Sequence, residues 1–160
     1  MLTVAEIMTS NPLSLGPDDS LAAARKLMAE NNIRHVPIVA ADGSPVGVVS
    51  QRDVLAAEDS TVIPRSEEEE ASEGFVALSA IMTSPAKSVD EHASLRGAAL
   101  HLQKHRFGCL LVTRDDALVG IITDTDFVAV AINLMEQLEA AEPEEYSFGD
   151  DFGEEAGLGV

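Results

Sequence analysis

One tetrapeptide occurs twice in this chain. Ile7-Met8-Thr9-Ser10 returns as Ile81-Met82-Thr83-Ser84, an offset of 74 residues. The same offset carries Ser14 onto Ser88, Ser20 onto Ser94, Leu21 onto Leu95 and Ala24 onto Ala98. One deletion near the hairpin turn reduces the offset to 73, after which Gly47 meets Gly120 and Asp53 meets Asp126. Register kept over so many positions means an internal repeat. A unit of this size has too little surface to bury a sheet alone. Two copies related by a pseudo-twofold axis can cover each other.

Each copy parses the same way. A short lead-in carries Ile-Met-Thr-Ser, and a brief strand is expected over residues 13–15 and 87–89. Ser20 and Ser94 stand where a side-chain oxygen can accept from a free amide of a first helical turn. The helices they open are predicted to reach about Asn31 and His105. In the second, Leu95, Ala98, Ala99 and Leu102 form an i, i+3, i+4, i+7 stripe that belongs in a core. Two apolar strands follow, over 35–39 and 46–49 in one copy and 109–113 and 118–122 in the other. Asp42-Gly43 and Asp115-Asp116 sit at the turns between them. A second helix starts after Ser50 and after Thr123. The order is β-α-β-β-α, twice, an α+β fold.

Hydrophobic residues make up 46% of the chain but aromatics only 4%, so the core must be aliphatic. The formal charge is −18, and no Lys or Arg follows Arg114. Such a chain repels phosphate backbones, which excludes nucleic acid as a partner. A bound nucleotide would need local cations or a metal ion. Cys109 is the sole cysteine, so no intramolecular disulfide can form and a reducing compartment is expected. No stretch reads as a signal peptide or a bilayer span, and the expected location is cytoplasmic.

These features divide the chain into a first repeat at 1–56, an acidic flexible linker at 57–77, a second repeat at 78–138 and an acidic, disordered tail at 139–160. The linker contains Glu67–Glu70, which a solvated spacer accommodates. The last helix carries Phe127, Val130, Ala131, Leu134, Met135 and Leu138 on one stripe. That is more than one domain can cover, and it suggests a homodimer interface.

Two segments could carry binding chemistry: Ser50-x-x-Asp53 and Thr123-x-x-Asp126. Each places a hydroxyl and an aspartate where an apolar strand turns into a helix. A helix start offers unpaired amides and partial positive charge to a phosphate. A carboxylate there can accept both hydroxyls of a ribose. The same residues also spell a capping box, which needs no ligand.

The doubled unit resembles a cystathionine β-synthase (CBS) domain pair, or Bateman module. The first copy carries the resemblance in Ile7-Met8-Thr9, Arg34-His35-Val36-Pro37-Ile38-Val39 and Gly47-Val48-Val49-Ser50-x-x-Asp53. The second carries it in Ile81-Met82-Thr83, Phe107-Gly108-Cys109-Leu110-Leu111-Val112 and Gly120-Ile121-Ile122-Thr123-x-x-Asp126. The resemblance spans residues 2–132 and implies a regulatory module for AMP, ADP, ATP or S-adenosylmethionine, with magnesium where ATP is bound. It places a site in each of two clefts between the copies. One would use Thr123, Thr125 and Asp126 with Leu13, Ile33 and Arg34. The other would use Ser50, Arg52 and Asp53 with Lys87, Phe107 and Gly108. Phe107 offers a stacking surface, or else a core aromatic, and Arg52 and Lys87 offer charge to phosphates. Asp124 opposes a phosphate if it faces its cleft. The second site is therefore expected to hold a charged nucleotide more tightly. The second copy departs from the pattern where Leu111 replaces the counterpart of Pro37.

His101, His105 and Cys109 recur every four residues, but Gly108 should end the helix before the cysteine, so no metal site is expected. No hydroxyl or thiol has an activating neighbour, and no enzyme is expected. The reading is a stand-alone regulatory protein whose ligand changes its shape for an effector protein. The alternative is a ligand-free dimeric scaffold in which both hydroxyl–aspartate pairs are caps.

Overall fold

The computed structural model describes residues 1–59 and 75–141. The first repeat contains β1 (Thr9–Ser10), α1 (Leu21–Asn31), β2 (His35–Val39), β3 (Pro45–Ser50) and α2 (Gln51–Asp59). The second contains β4 (Ser88–Asp90), α3 (Leu95–His105), β5 (Cys109–Arg114), β6 (Ala117–Thr123) and α4 (Asp124–Ala141). The glutamate run and residues 142–160 lie outside the described residues. By compactness the chain divides after Asp126. The first unit holds both sheets. The described part of the second is the remainder of α4, where Val128, Ile132, Leu134, Met135 and Leu138 are exposed. No described helix is long and apolar enough to cross a membrane.

Local chemistry sets the helix and turn limits. Ser20 Oγ accepts from Ala23 N–H and Ser94 Oγ from Gly97 N–H, each at 3.0 Å. Both helices stop at a left-handed residue, Asn32 at φ 51° and Arg106 at φ 54°. Asp115 and Asp116 take φ of 49° and 65°, as a two-residue turn matched to strand twist requires.

The lead-in segments are exchanged. β1 of the first repeat pairs antiparallel with β6 of the second, giving the sheet order β1-β6-β5-β4. Thr83 of the second repeat bridges antiparallel to Val48 of β3 in turn. The helix starts follow suit: Leu95 N–H donates to the Leu2 carbonyl and Leu21 N–H to that of Val76, both at 2.9 Å. Leu78 of the second repeat is fully buried in the core of the first, with Ala24, Met28, Val36, Ile38, Val49 and Val54. Burying a leucine contributes about 1.5–3 kcal/mol. The copies are thus held together by each other's first residues.

The expected strand over 13–15 shrinks to a single parallel bridge between Leu15 and Ile38. Its twin survives as β4, one residue later than expected. Leu111 N–H donates to the Lys87 carbonyl at 3.0 Å, extending the β4–β5 ladder. The counterpart of Leu111 is Pro37, which has no amide hydrogen. That bond cannot form in the first repeat, so its leading strand is shorter.

Candidate functional site

Ser50 and Thr123 each end a strand, and the helix begins at the next residue. With no loop between, the junction geometry is fixed by the sheet. At α2, Ser50 N–H donates to Asp53 Oδ2 at 2.8 Å, and Asp53 N–H donates to Ser50 Oγ at 3.1 Å. At α4, Thr123 N–H donates to Asp126 Oδ2 at 2.8 Å, and the Thr123 hydroxyl points to the same oxygen at 3.3 Å. The first motif therefore works as a reciprocal N-terminal cap, and the second makes only the aspartate half of that box. Each aspartate uses Oδ2 alone. Among the described residues Oδ1 of Asp53 and of Asp126 accepts no hydrogen bond. A half-buried carboxylate with one oxygen to spare, at a helix start, remains able to accept a hydroxyl.

Each helix start is tied to the residue that precedes the first core strand of its own repeat. Gly108 accepts Asp124 N–H through its carbonyl at 3.3 Å, as Arg34 accepts Gln51 N–H at 2.8 Å. The His35 ring of the first repeat lies against Gly108 of the second. A Cβ on Gly108 would stand 2.8 Å from His35 Nε2. Burial holds His35 below its ordinary pKa, with Asp124 and Asp53 pulling the other way. This packing across the repeats was not legible in the sequence. Its only trace is a glycine where the first repeat has Arg34.

Phe107 is half-buried and stacks on His105, ring centres 5.4 Å apart and planes 13° from parallel. His101 adds a tilted contact at 5.9 Å. Partial desolvation, then the neighbouring charges of His101, Lys104 and Lys87, hold His105 below its ordinary pKa. Arg52, Lys87, Arg34, Leu13 and Thr125 are exposed, and Ile33 is half-buried. Ile33 and Arg34 line a groove with Met28, Gln51, Val54 and Leu55 of their own repeat. No hydrogen bond or ion pair among the described residues joins them or Leu13 to Thr123 or Asp126. Cys109 falls in β5 beyond the end of α3, and no three metal-binding side chains gather among the described residues.

Residues 4–60 and 78–133 each match the CBS domain. The chain belongs to the CBS-domain family. Its two CBS domains form a CBS pair. That pair is similar to AcuB of Vibrio cholerae, a protein provisionally assigned to acetoin utilization, with 43% identity, a TM-score of 0.76 and coverage of 87% of this chain and 98% of that one. It is similar to CBSX2, solved in complex with AMP, with 27% identity, a TM-score of 0.70 and coverage of 84% and 99%. The uncharacterized protein MJ1404 of Methanocaldococcus jannaschii is 30% identical over 82% of this chain. The chain spans only 32% of MJ1404, and 41% and 23% of two further curated relatives, from Thermofilum pendens and Methanocorpusculum labreanum.

Proposed function

We propose that this CBS pair is a regulatory, non-catalytic sensor. It binds an adenosine-containing ligand (AMP, ADP, ATP or S-adenosylmethionine) in the clefts between its CBS domains. The observation that carries the reading is the pair of strand-to-helix junctions, each ending in an aspartate with one carboxylate oxygen unused. CBSX2, which shares the fold at 27% identity, was solved with AMP. The ligand contacts are Ser50, Arg52, Asp53, Lys87, Phe107 and Gly108 in one cleft. The other uses Leu13, Ile33, Arg34, Thr123, Thr125 and Asp126. The CBS domains occupy 1–56 and 78–138, and the protein works as a homodimer that an effector protein reads. A ligand drives such a change only through unequal affinity for the two shapes.

Thermal unfolding with AMP, ADP, ATP, ATP plus magnesium and S-adenosylmethionine at matched ionic strength tests this. Ligand at a hundred times its dissociation constant stabilises by about 2.7 kcal/mol. The shift should disappear in Asp53→Ala or Asp126→Ala, according to the cleft filled. No shift with any compound favours the second reading, a ligand-free scaffold. The reciprocal capping of Ser50 by Asp53 supports that reading, because it satisfies the Ser50 and Asp53 amides of the helix start without a ligand.

A further inference from the structure

A thioether sulfur sits at each seam between the repeats. Met8 of the first lead-in lies over Gly120 of β6, and Met82 of the second lies over Gly47 of β3. Neither glycine has room for even a Cβ beneath the methionine, so each sulfur rests on the backbone of the other repeat. Both side chains are half-buried, and Met82 also packs against the core of the first repeat.

The backbone groups along both seams are already paired. Val48 N–H donates to the Thr83 carbonyl at 3.1 Å, and Thr83 N–H to the Val48 carbonyl at 2.9 Å. On the other side Thr9 pairs with Ile121 and Ser10 with Gly120, and Asn11 N–H donates to the Val119 carbonyl at 3.1 Å. A polar atom added to either sulfur meets little space and amides that already have acceptors.

The remaining sulfurs are placed differently. Cys109 is buried in β5, where burial keeps its thiol protonated. Met28 is buried within the core of the first repeat, and Met1 and Met135 are exposed. Of the five methionines, Met8 and Met82 combine partial access to solvent with a contact that joins the repeats.

We infer that Met8 and Met82 are paired oxidation sites that set how firmly the two repeats hold each other. Hydrogen peroxide transfers one oxygen to the thioether sulfur. The sulfur gives up two electrons, the O–O bond breaks, and the peroxide is reduced to water as the sulfoxide forms. The new oxygen is a hydrogen-bond acceptor that is costly to bury unpaired. To reach water, the side chain must lift off its glycine, which loosens the exchanged lead-in. None of this depends on the adenosine reading.

The test treats the full chain with graded hydrogen peroxide, locates each sulfoxide by peptide mass spectrometry and follows stability by urea unfolding. Met1 and Met135 should oxidise first and leave the midpoint unchanged. Sulfoxide at Met8 or Met82 should form more slowly and reduce the folded-to-unfolded ratio by about tenfold, the scale of overpacking a core. Met8→Leu combined with Met82→Leu should abolish this response to peroxide. Replacing every methionine by norleucine, which is unbranched and has no sulfur, gives the same readout if leucine does not fit over the glycines. An unchanged midpoint with Met8 and Met82 both oxidised, or an equal loss in the norleucine protein, would overturn the inference.

Discussion

Gly47 of the first repeat makes room for Met82 of the second. A Cβ on Gly47 would stand 2.6 Å from Met82 Sδ, 2.9 Å from its Cγ and 3.0 Å from the Thr83 carbonyl oxygen. Met8 lies over Gly120 in the same manner from the opposite repeat. The exchanged lead-ins can approach the strands this closely only where no side chain intervenes. Gly47→Ala should therefore destabilise by about 1–3 kcal/mol, the usual effect of overpacking. Adding Met82→Ala should recover part of that loss, read as a non-additive double-mutant cycle in urea. Strict additivity would show that the two residues do not press on each other.

The two caps differ in strength. Ser50→Ala leaves Asp53 N–H without its acceptor and should cost about 1 kcal/mol. The Thr123 hydroxyl instead donates to Asp126 at 3.3 Å, so Thr123→Val should cost less. Equal losses in chemical denaturation would count against this asymmetry.

Stability should fall in two stages as the solution is acidified. Burial keeps His35 below its ordinary value of 6.5, so the unfolded chain takes up a proton that the folded one resists. Stability from this source is complete above pH 6.5 and declines as pH falls toward the folded-state value. Glu91, only 5% exposed, is gripped by Arg114 through Nη2 at 2.6 Å and through Nε, and the guanidinium holds its carboxyl below 4.5. Its contribution is complete above pH 4.5 and is lost as pH drops further. In melting temperature against pH, His35→Gln should flatten the upper stage and Glu91→Gln the lower.

Cys109 should be inert in the folded protein. Burial, with a smaller push from Asp124, raises its thiol to about 12, so almost no thiolate exists at neutral pH. Iodoacetamide at pH 8 should leave the native protein unmodified and alkylate it in urea. Rapid labelling of the native state would contradict this burial.

Much of the fold was legible because its signals are local. Ser20 and Ser94 cap their helices whatever lies beyond them. Asp115-Asp116 forms its turn from backbone preference. The hydroxyl–aspartate pairs could be located at their helix starts, but the sequence left open whether they bind or cap. The structure shows the caps and also leaves one carboxylate oxygen on each. The strand over 13–15 was overestimated because its survival depends on a donor that Pro37, distant in sequence, does not have. The stacking of Phe107 on His105 and the packing of His35 on Gly108 depend on rings whose positions no spacing rule fixes.

By itself the sequence determined that one β-α-β-β-α unit is used twice, since its periodicity, caps and turns act within a few residues. Only the tertiary structure decided that each repeat gives its first residues to the other. Antiparallel pairing of Thr9 with Ile121 and the bridge from Thr83 to Val48 satisfy backbone groups across the pseudo-twofold. Such long-range pairing is set by which surfaces remain uncovered after the local elements form. The same holds for Asp124. Its place beside Thr123 is written in the chain, but its capture of the Thr125 amide is a matter of three-dimensional geometry.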